Sequence, residues 1–213
     1  MGVKAKICGI STPGAATAAL EGGAQWLGFM FFAKSPRNLA PDAAARLAQP
    51  VRGQAKIVAV LVDPDDGEVD RVAQALKPDL IQLHGAETPA RARAIGVRAG
   101  AGIIKALPVS EASDLAQAAQ YETVVDHLMF EGRPPKDADL PGGSGRAFDW
   151  TLLAGRRFQR PWFLAGGLDP WNLAEAVQQS GAPLVDVSSG VERGPGLKDP
   201  DLISAFLNAV RRA

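Results

Sequence analysis

Short apolar runs alternate along the chain with longer stretches rich in Ala and Leu. Gly, Pro or Asp bound the apolar runs, which is typical of buried parallel strands, and the intervening stretches have the amphipathic spacing of helices. The pattern predicts eight strands over residues 3–8, 25–30, 55–62, 79–83, 101–106, 123–130, 160–165 and 184–187. It predicts helices between them, among others over residues 41–49, 68–76, 89–95, 111–119, 170–179 and 199–211.

Eight strand–helix units in 213 residues predict an α/β fold, a closed (β/α)8 TIM barrel that forms one domain over residues 1–213. A doubly wound open sheet gives the same alternation and is the main rival. Its dinucleotide-binding form is disfavoured, because Gly143-Ser144-Gly145 is followed by Arg146, Ala147 and Phe148 and lacks the third glycine of the fingerprint. No P-loop is present either.

The amino-acid composition limits the classes of partner that this protein is expected to bind. The 23 basic residues balance the 23 acidic ones, and without a basic block nucleic acid is not an expected partner. Apolar runs such as residues 57–62 are too short to span a bilayer, and no signal-peptide pattern opens the chain, so we expect a cytoplasmic protein with no membrane contact. The single cysteine excludes an internal disulfide and argues against a structural zinc site, so no metal is expected.

Active sites of such barrels lie at the carboxyl ends of the strands, and the last two strands carry the clearest signal. Gly166-Gly167 lets the backbone approach a ligand closely, and Asp169-Pro170 is predicted to begin a helix directly afterwards. Ser188-Ser189-Gly190 offers hydroxyl and amide donors on the neighbouring strand. Each pair could simply form a tight turn, but together they predict a phosphate site.

Other strand ends carry candidate catalytic groups. Cys8 could be a buried core residue, but its place before Gly9 at the end of strand one favours a base, which requires that its thiol pKa fall. Glu131 could be a solvated loop acid, but next to an apolar run it suits a general acid. Arg37 could be a surface charge or could grip a planar carboxylate with its fork. Asp126 lies at the far end of strand six, away from the expected site.

Two further features bear on the site. His84 follows strand four and is more typical of a hydrogen-bonded rim residue than of a ligand, and His127, inside strand six, is expected to be structural. Residues 132–147 form the one long segment without a predicted element, and loops of that length are usually functional lids or disordered.

Taken together, the chain resembles the phosphoribosylanthranilate isomerase family of tryptophan biosynthesis. The resemblance covers nearly the whole sequence in the same order. The matching segments are residues 6–10 (KICGI), 28–37 (GFMFFAKSPR), 81–85 (IQLHG), 142–150 (GGSGRAFDW), 164–168 (LAGGL), 185–192 (VDVSSGVE) and 196–199 (GLKD).

The resemblance implies a barrel enzyme that performs an Amadori rearrangement without a cofactor. N-(5-phosphoribosyl)anthranilate, an aminoaldose, becomes 1-(2-carboxyphenylamino)-1-deoxyribulose 5-phosphate, an aminoketose. The implied roles are Cys8 as general base, Glu131 as general acid, Arg37 for the anthranilate carboxylate, and residues 132–147 as a lid. Gln82 and His84 would line the pocket, and the phosphate would lie at Gly166, Gly167, Asp186, Ser188, Ser189 and Gly190.

One position departs from the family pattern, because the family usually has Asp where this chain has Glu131. The role survives in principle, since both are carboxylic acids, but the extra methylene moves the acid by about a bond length. A non-catalytic or altered-specificity phosphate-binding barrel therefore stays open as an alternative. So do indole-glycerol-phosphate synthase, a ribulose-phosphate epimerase, and activity on the histidine-pathway aminoaldose. The expected partner is a small phosphorylated substrate, and the protein could be a monomer or a homodimer.

Overall fold

The computed structural model of the chain describes residues 2–133 and 147–213. Eight parallel strands close into a barrel in the order of the sequence. Their bounds are β1 (Lys4–Cys8), β2 (Trp26–Phe31), β3 (Lys56–Leu61), β4 (Leu80–Leu83), β5 (Gly102–Val109), β6 (His127–Gly132), β7 (Trp162–Leu164) and β8 (Leu184–Val187). The ring closes where β8 pairs with β1, with Lys6 opposite Asp186. The predicted barrel is confirmed, and the open sheet is excluded.

Alternation along each strand separates two apolar layers, as the period of a strand requires. In β3, for example, Ile57, Ala59 and Leu61 face the helices. The intervening Val58 and Val60 fill the inside of the barrel. Cys8 belongs to the inner layer. The residues of β1 at every second position from Cys8 therefore also point inward.

Helices cover the outside of the barrel. Their bounds are α1 (Pro13–Glu21), α2 (Pro41–Ala48), α3 (Asp66–Leu76), α4 (Pro89–Ala99), α5 (Ala118–Tyr121), α6 (Leu173–Ser180) and α7 (Pro200–Val210). Thr12, Asp65, Thr88 and Asp199 cap α1, α3, α4 and α7 with their side-chain oxygens, which satisfies amide donors in the first turn. Helix α1 lies between β1 and β2, where the predicted alternation of strands and helices requires a helix.

Strand six begins four residues later than predicted. The β-branched pair Val124 and Val125 favours a strand, but both amides donate to the carbonyl of Tyr121, at 2.8 and 3.1 Å, and so close a turn after α5. The strand therefore starts at His127. Asp126 accepts a hydrogen bond from the Ile103 amide at 2.7 Å at the entry to the strand, far from the carboxyl ends, as expected.

Two predicted helices also differ. Residues 111–119 form a 3-10 helix (Ala112–Gln117) that leads into the short α5, because the Asp114 carboxylate accepts from the amides of Ser110 and Glu111 and tightens the start. The helix after β7 begins at Leu173 and not at Pro170, because the side chain of Asp169 holds the amides of Trp171 and Asn172 in a turn. A short antiparallel hairpin, β9 (Glu192–Gly194) and β10 (Leu197–Lys198), follows β8 and was not predicted.

Candidate active site

A pocket of about 710 Å³, including its open mouth, lies at the carboxyl ends of the strands. Its lining residues are Cys8, Met30, Phe32, Ser35, Arg37, Val62, Gln82, His84, Glu131, Ala165, Gly166, Gly167, Leu168, Asp186, Val187, Ser188 and Ser189. Every candidate residue of the sequence analysis except Gly190 is therefore part of one pocket.

Cys8 ends β1 and is 4% exposed. Lys6 precedes it by two residues on the same inward face of the strand and is completely buried. The Lys6 ammonium donates to Asp186 Oδ1 at 2.7 Å across the closing seam of the barrel. A buried cation and its carboxylate thus lie directly beneath the thiol.

Burial raises the pKa of the Cys8 thiol, because the thiolate loses its water, and neighbouring Asp186 raises it further. Lys6 opposes both effects by its charge, but the pKa stays above its ordinary value. The expected fall of the thiol pKa is therefore not found, because desolvation outweighs the cation.

Glu131 lies in β6 with its side chain inside the barrel and is 5% exposed. Its Oε1 is 2.5 Å from Nε2 of His84, which follows β4. The two atoms form a short ion pair. The N–H at Nε2 of the His84 ring is not aligned for a hydrogen bond. Burial disfavours the charged imidazole, but Glu131 outweighs it and the pKa of His84 is raised. The two side chains together hold a proton inside the pocket.

Gln82 completes this group, with its Nε2 3.0 Å from Nδ1 of His84. Both ring nitrogens of an imidazolium donate, so its natural neighbour is an amide oxygen. Gln82 Oε1 is buried without a hydrogen-bond partner among the described residues, and a half-turn of the amide brings it to Nδ1. Gln82 can therefore fix the ring of His84 as well as line the pocket.

Arg37 is buried and its guanidinium group is paired with Glu192 in β9. Nε is 2.7 Å from Oε1, and Nη2 is 2.8 Å from Oε2. Two of its five N–H donors are thus directed at Glu192, and the opposite edge, formed by Nη1 and Nη2, is the one that can hold a second carboxylate. Burial opposes the charge of Glu192, but Arg37 and Lys198 outweigh it, so the pKa of Glu192 is lowered.

Lys198 of β10 joins this end of the pocket to the last barrel strand. Its Nζ contacts Glu192 Oε1 and donates to the carbonyl and the hydroxyl of Ser188, at 3.1 and 3.3 Å. Burial lowers the pKa of Lys198 despite Glu192. Gly9 is needed here, because at φ 77° a β-carbon would lie 2.6 Å from Arg37 Cδ and 3.2 Å from Lys198 Nζ.

The candidate phosphate end is built by the loops after β7 and β8. Gly166 and Gly167 both have positive φ, 83° and 72°, a conformation that favours glycine. Ser188 and Ser189 line the pocket from the adjacent strand. Gly190 lies behind them, where a β-carbon would be 1.9 Å from the Leu168 carbonyl oxygen, so it lets the two loops touch. Asp186 lines the pocket, but its carboxylate is paired with Lys6 and would repel a phosphate, which leaves its backbone as the part that could serve one.

Three charged residues of the site were not given a role from sequence. Lys6 carried a signal, since a lysine within an apolar strand shares the face of Cys8. Glu192 and Lys198 carried none, because their contacts depend on how the hairpin folds over the barrel. The predicted lid lies mostly in residues 134–146, outside the described residues. Within residues 2–133 and 147–213, no cluster of three or more His, Cys, Asp or Glu side chains could hold a metal ion.

The fold and the pocket define a (β/α)8 barrel whose thiol and carboxylic acid face one cavity, beside loops suited to an anion. The sequence profile described as N-(5'phosphoribosyl)anthranilate (PRA) isomerase matches residues 5–209. The chain belongs to this family, and the resemblance stated from sequence is confirmed.

Named relatives agree with this assignment. The chain is 64% identical over 210 residues to N-(5'-phosphoribosyl)anthranilate isomerase of Caulobacter vibrioides, covering 98% of this chain and 96% of that protein. It is 51% identical over 211 residues to the protein of the same name from Paramagnetospirillum magneticum, covering 99% and 98%.

Solved structures show the same fold. Phosphoribosyl anthranilate isomerase from Thermotoga maritima superposes with a TM-score of 0.88 at 34% identity, covering 99% of this chain and 100% of that one. A phosphoribosyl anthranilate isomerase in complex with reduced 1-(o-carboxyphenylamino)-1-deoxyribulose 5-phosphate superposes at 0.85 with 32% identity, covering 99% and 100%. In the described part of this chain, no helix combines the length and apolar character needed to cross a membrane.

Proposed function

We propose that this protein is a phosphoribosylanthranilate isomerase of tryptophan biosynthesis, which converts N-(5-phosphoribosyl)anthranilate into 1-(2-carboxyphenylamino)-1-deoxyribulose 5-phosphate. One observation carries the proposal: Cys8 and Glu131 line the same pocket as the glycine and serine loops after β7 and β8. A sugar whose 5-phosphate lies at those loops would have its reacting end between the thiol and the carboxyl group. The related structure with a reduced product bound supports this ligand class.

The first step needs an acid. Glu131 receives the proton that it shares with His84 and passes it to the furanose ring oxygen, the C1–O bond breaks, and the nitrogen lone pair forms the C=N bond of a Schiff base. His84, which contacts Glu131, carries that proton before the step and is left as the neutral ring after it. Glu131 therefore ends the step as the carboxylate from which it started.

The second step needs a base. Cys8 as thiolate removes the proton from sugar C2, the electron pair of the C–H bond forms the C1=C2 bond of an enolamine, and the π pair of the C=N bond returns to nitrogen. Tautomerisation then gives the ketone at C2 and returns a proton to C1. The rearrangement is an internal redox exchange between C1 and C2, so it needs no metal, oxidant or cofactor.

Two anchors orient the substrate for these transfers. The free edge of the Arg37 guanidinium group faces the anthranilate carboxylate, while Glu192 fixes the other edge. The loops at Gly166–Gly167 and Ser188–Ser189 hold the phosphate, with backbone amides as the main donors. Two anchors at opposite ends convert proton transfer into a step within one complex.

The direct test is turnover of phosphoribosylanthranilate generated in situ and followed by loss of the substrate fluorescence. Cys8→Ala should lose turnover by a factor of about 10² to 10⁴ while it still binds the reduced product analogue. Cys8→Ser is the matched control for shape, and it should also be inactive because a hydroxyl group is a far weaker base. Turnover of Cys8→Ala near that of the wild type would reject the role of the thiol. Binding of the analogue without turnover by the wild-type protein would favour a non-catalytic phosphate-binding barrel.

The same proposal covers the setting of the enzyme. It acts in the cytoplasm on a small phosphorylated substrate, as a monomer or a homodimer, without nucleic acid or membrane partners. A related isomerase is described as dimeric. Sedimentation of the purified chain across a range of concentrations distinguishes the two assemblies.

A further inference from the structure

Lys6 is completely buried, and the reaction as described above does not use it. Removing an ammonium group from water is costly, and a hydrophobic side chain of similar volume usually serves packing as well or better. A lysine inside the barrel, two residues before the proposed base, therefore calls for a reason other than packing.

The surroundings of Lys6 supply a reason for its burial. The ammonium group is 2.7 Å from Asp186 Oδ1, at the register position where β1 pairs with β8. On the other side, Gly28 of β2 leaves a gap that the lysine and the cysteine both border. A β-carbon at Gly28 would lie 3.0 Å from Cys8 Sγ and 3.2 Å from Lys6 Cε. The end of the lysine side chain therefore runs alongside the sulfur, and Asp186 holds it there.

We propose that Lys6 is a positioning residue of this enzyme: its ammonium group, anchored by Asp186, is the counter-ion that stabilises the thiolate of Cys8. The proposal rests on the proposed function only in so far as Cys8 is the base. The charge relation between the two side chains can be measured without any turnover.

Other charges also face the thiol. Asp186 comes from β8 and Lys198 from β10. Arg37, which Glu192 holds, lines the same pocket, and so do His84 and Glu131. Burial is the largest influence and raises the pKa of Cys8. Among the charges, Lys6 has the largest effect and lowers this pKa. Asp186 raises it by a smaller amount, and Lys198 lowers it by the smallest amount. Loss of Lys6 thus removes the largest stabilising charge and leaves the repulsion by Asp186 uncompensated.

The experiment uses the fact that Cys8 is the single cysteine of the chain, so alkylation by iodoacetamide reports on this thiol alone. The rate is measured from pH 6.5 to 10.5 on the full-length protein, because the thiolate is the reacting form. For Lys6→Met we expect the midpoint to move up by about 1 to 3 pH units, or the rate at pH 8 to fall at least about tenfold. For Lys6→Arg, which keeps the charge, the midpoint should stay near that of the wild type.

Two further variants separate charge from damage to the fold. Lys6→Met combined with Asp186→Asn removes both charges, so its midpoint should lie between those of the wild type and Lys6→Met. Lys105→Met is the matched control, because Lys105 is an equally buried lysine paired with Glu87 at 2.9 Å, on the outer face of β5. Its loss should lower thermal stability comparably and leave the alkylation midpoint of Cys8 unchanged.

The outcomes are distinct. Equal midpoints for the wild type and folded Lys6→Met, or for Lys6→Met and the double variant, would overturn the proposal. If Lys6→Met does not fold, the double variant decides, and a midpoint at the wild-type value would overturn it. If the midpoints move as expected but Cys8→Ala retains turnover, the counter-ion is supported and the base assignment alone fails.

Discussion

Nε2 of His84 lies 2.5 Å from Oε1 of Glu131, so the proposed acid of the site is paired with a cation inside the pocket. Sequence placed both residues at strand ends but did not connect them. The pairing explains how a buried carboxylate can act as an acid, because the imidazolium ring beside it carries the proton that Glu131 passes to the substrate. His84 is therefore part of the acid and not only a residue that lines the wall.

The first prediction concerns the pH dependence of stability. Because the pKa of His84 is raised on folding, protonated His84 stabilises the fold fully below its unfolded pKa of about 6.5. This contribution is lost as the pH rises through the raised value. His84→Gln should therefore lower the free energy of unfolding most at mildly acid pH, by about 1–3 kcal/mol. The difference from the wild type should shrink at alkaline pH, as measured by urea unfolding between pH 5.5 and 9.5.

His127, the other histidine of the chain, is the matched control. Burial lowers the pKa of His127, so protonation of this ring at acid pH destabilises the folded protein. The contribution of His127 to the free energy of unfolding therefore changes with pH in the sense opposite to that of His84. The free energy of unfolding of His127→Gln, relative to that of the wild type, should thus be lowest at alkaline pH. A difference for His84→Gln that does not change with pH would contradict the ion pair.

The second prediction concerns the length of the acid. Glu131→Asp should reduce kcat by about 10- to 100-fold, because the shorter side chain withdraws the carboxyl group from His84 and from the sugar by about a bond length. Steady-state kinetics with KM determined separately is the measurement. Glu131→Gln keeps the length but cannot donate an acidic proton, and it should lose more activity. A Glu131→Asp enzyme as fast as the wild type would show that the site is not built around the longer side chain.

The third prediction concerns Arg37. Arg37→Met removes the guanidinium edge proposed for the anthranilate carboxylate, so KM should rise about 10- to 100-fold while kcat changes less. Arg37→Lys keeps the charge but not the fork that Glu192 holds, and it should recover only part of the affinity. A fall in kcat at unchanged KM would instead place Arg37 in the proton transfers.

The fourth prediction concerns the contact between the two phosphate loops. Gly190→Ala would place a methyl group 1.9 Å from the Leu168 carbonyl oxygen, so the loops must move apart. The affinity for the reduced product analogue, and for inorganic phosphate as a competitor, should fall at least about tenfold. Gly14→Ala is the control, because no heavy atom lies within 4 Å of its added methyl group. Unchanged affinity in Gly190→Ala would remove these loops from the phosphate site.

Much of the fold could be predicted from local pattern. Apolar runs of strand length, separated by amphipathic stretches, repeat eight times, and eight such units make one full circuit of a closed barrel. Where the pattern failed, a local hydrogen bond competed with it. Val124 and Val125 have strand propensity, but the carbonyl of Tyr121 holds them in a turn. The side chain of Asp169 likewise delays the start of α6.

The candidate site divides in the same way. Cys8, Glu131 and the glycines after β7 could be recognised because the carboxyl ends of all barrel strands meet at one face, so position in the strand suffices. The partner of each charged side chain could not be recognised from the sequence. Lys6 meets Asp186 only because the last strand closes on the first, 180 residues along the chain. Arg37 meets Glu192 only because a hairpin folds back over the second loop, 155 residues away. Pairing between side chains depends on distance in space, which strand periodicity does not encode and barrel closure decides.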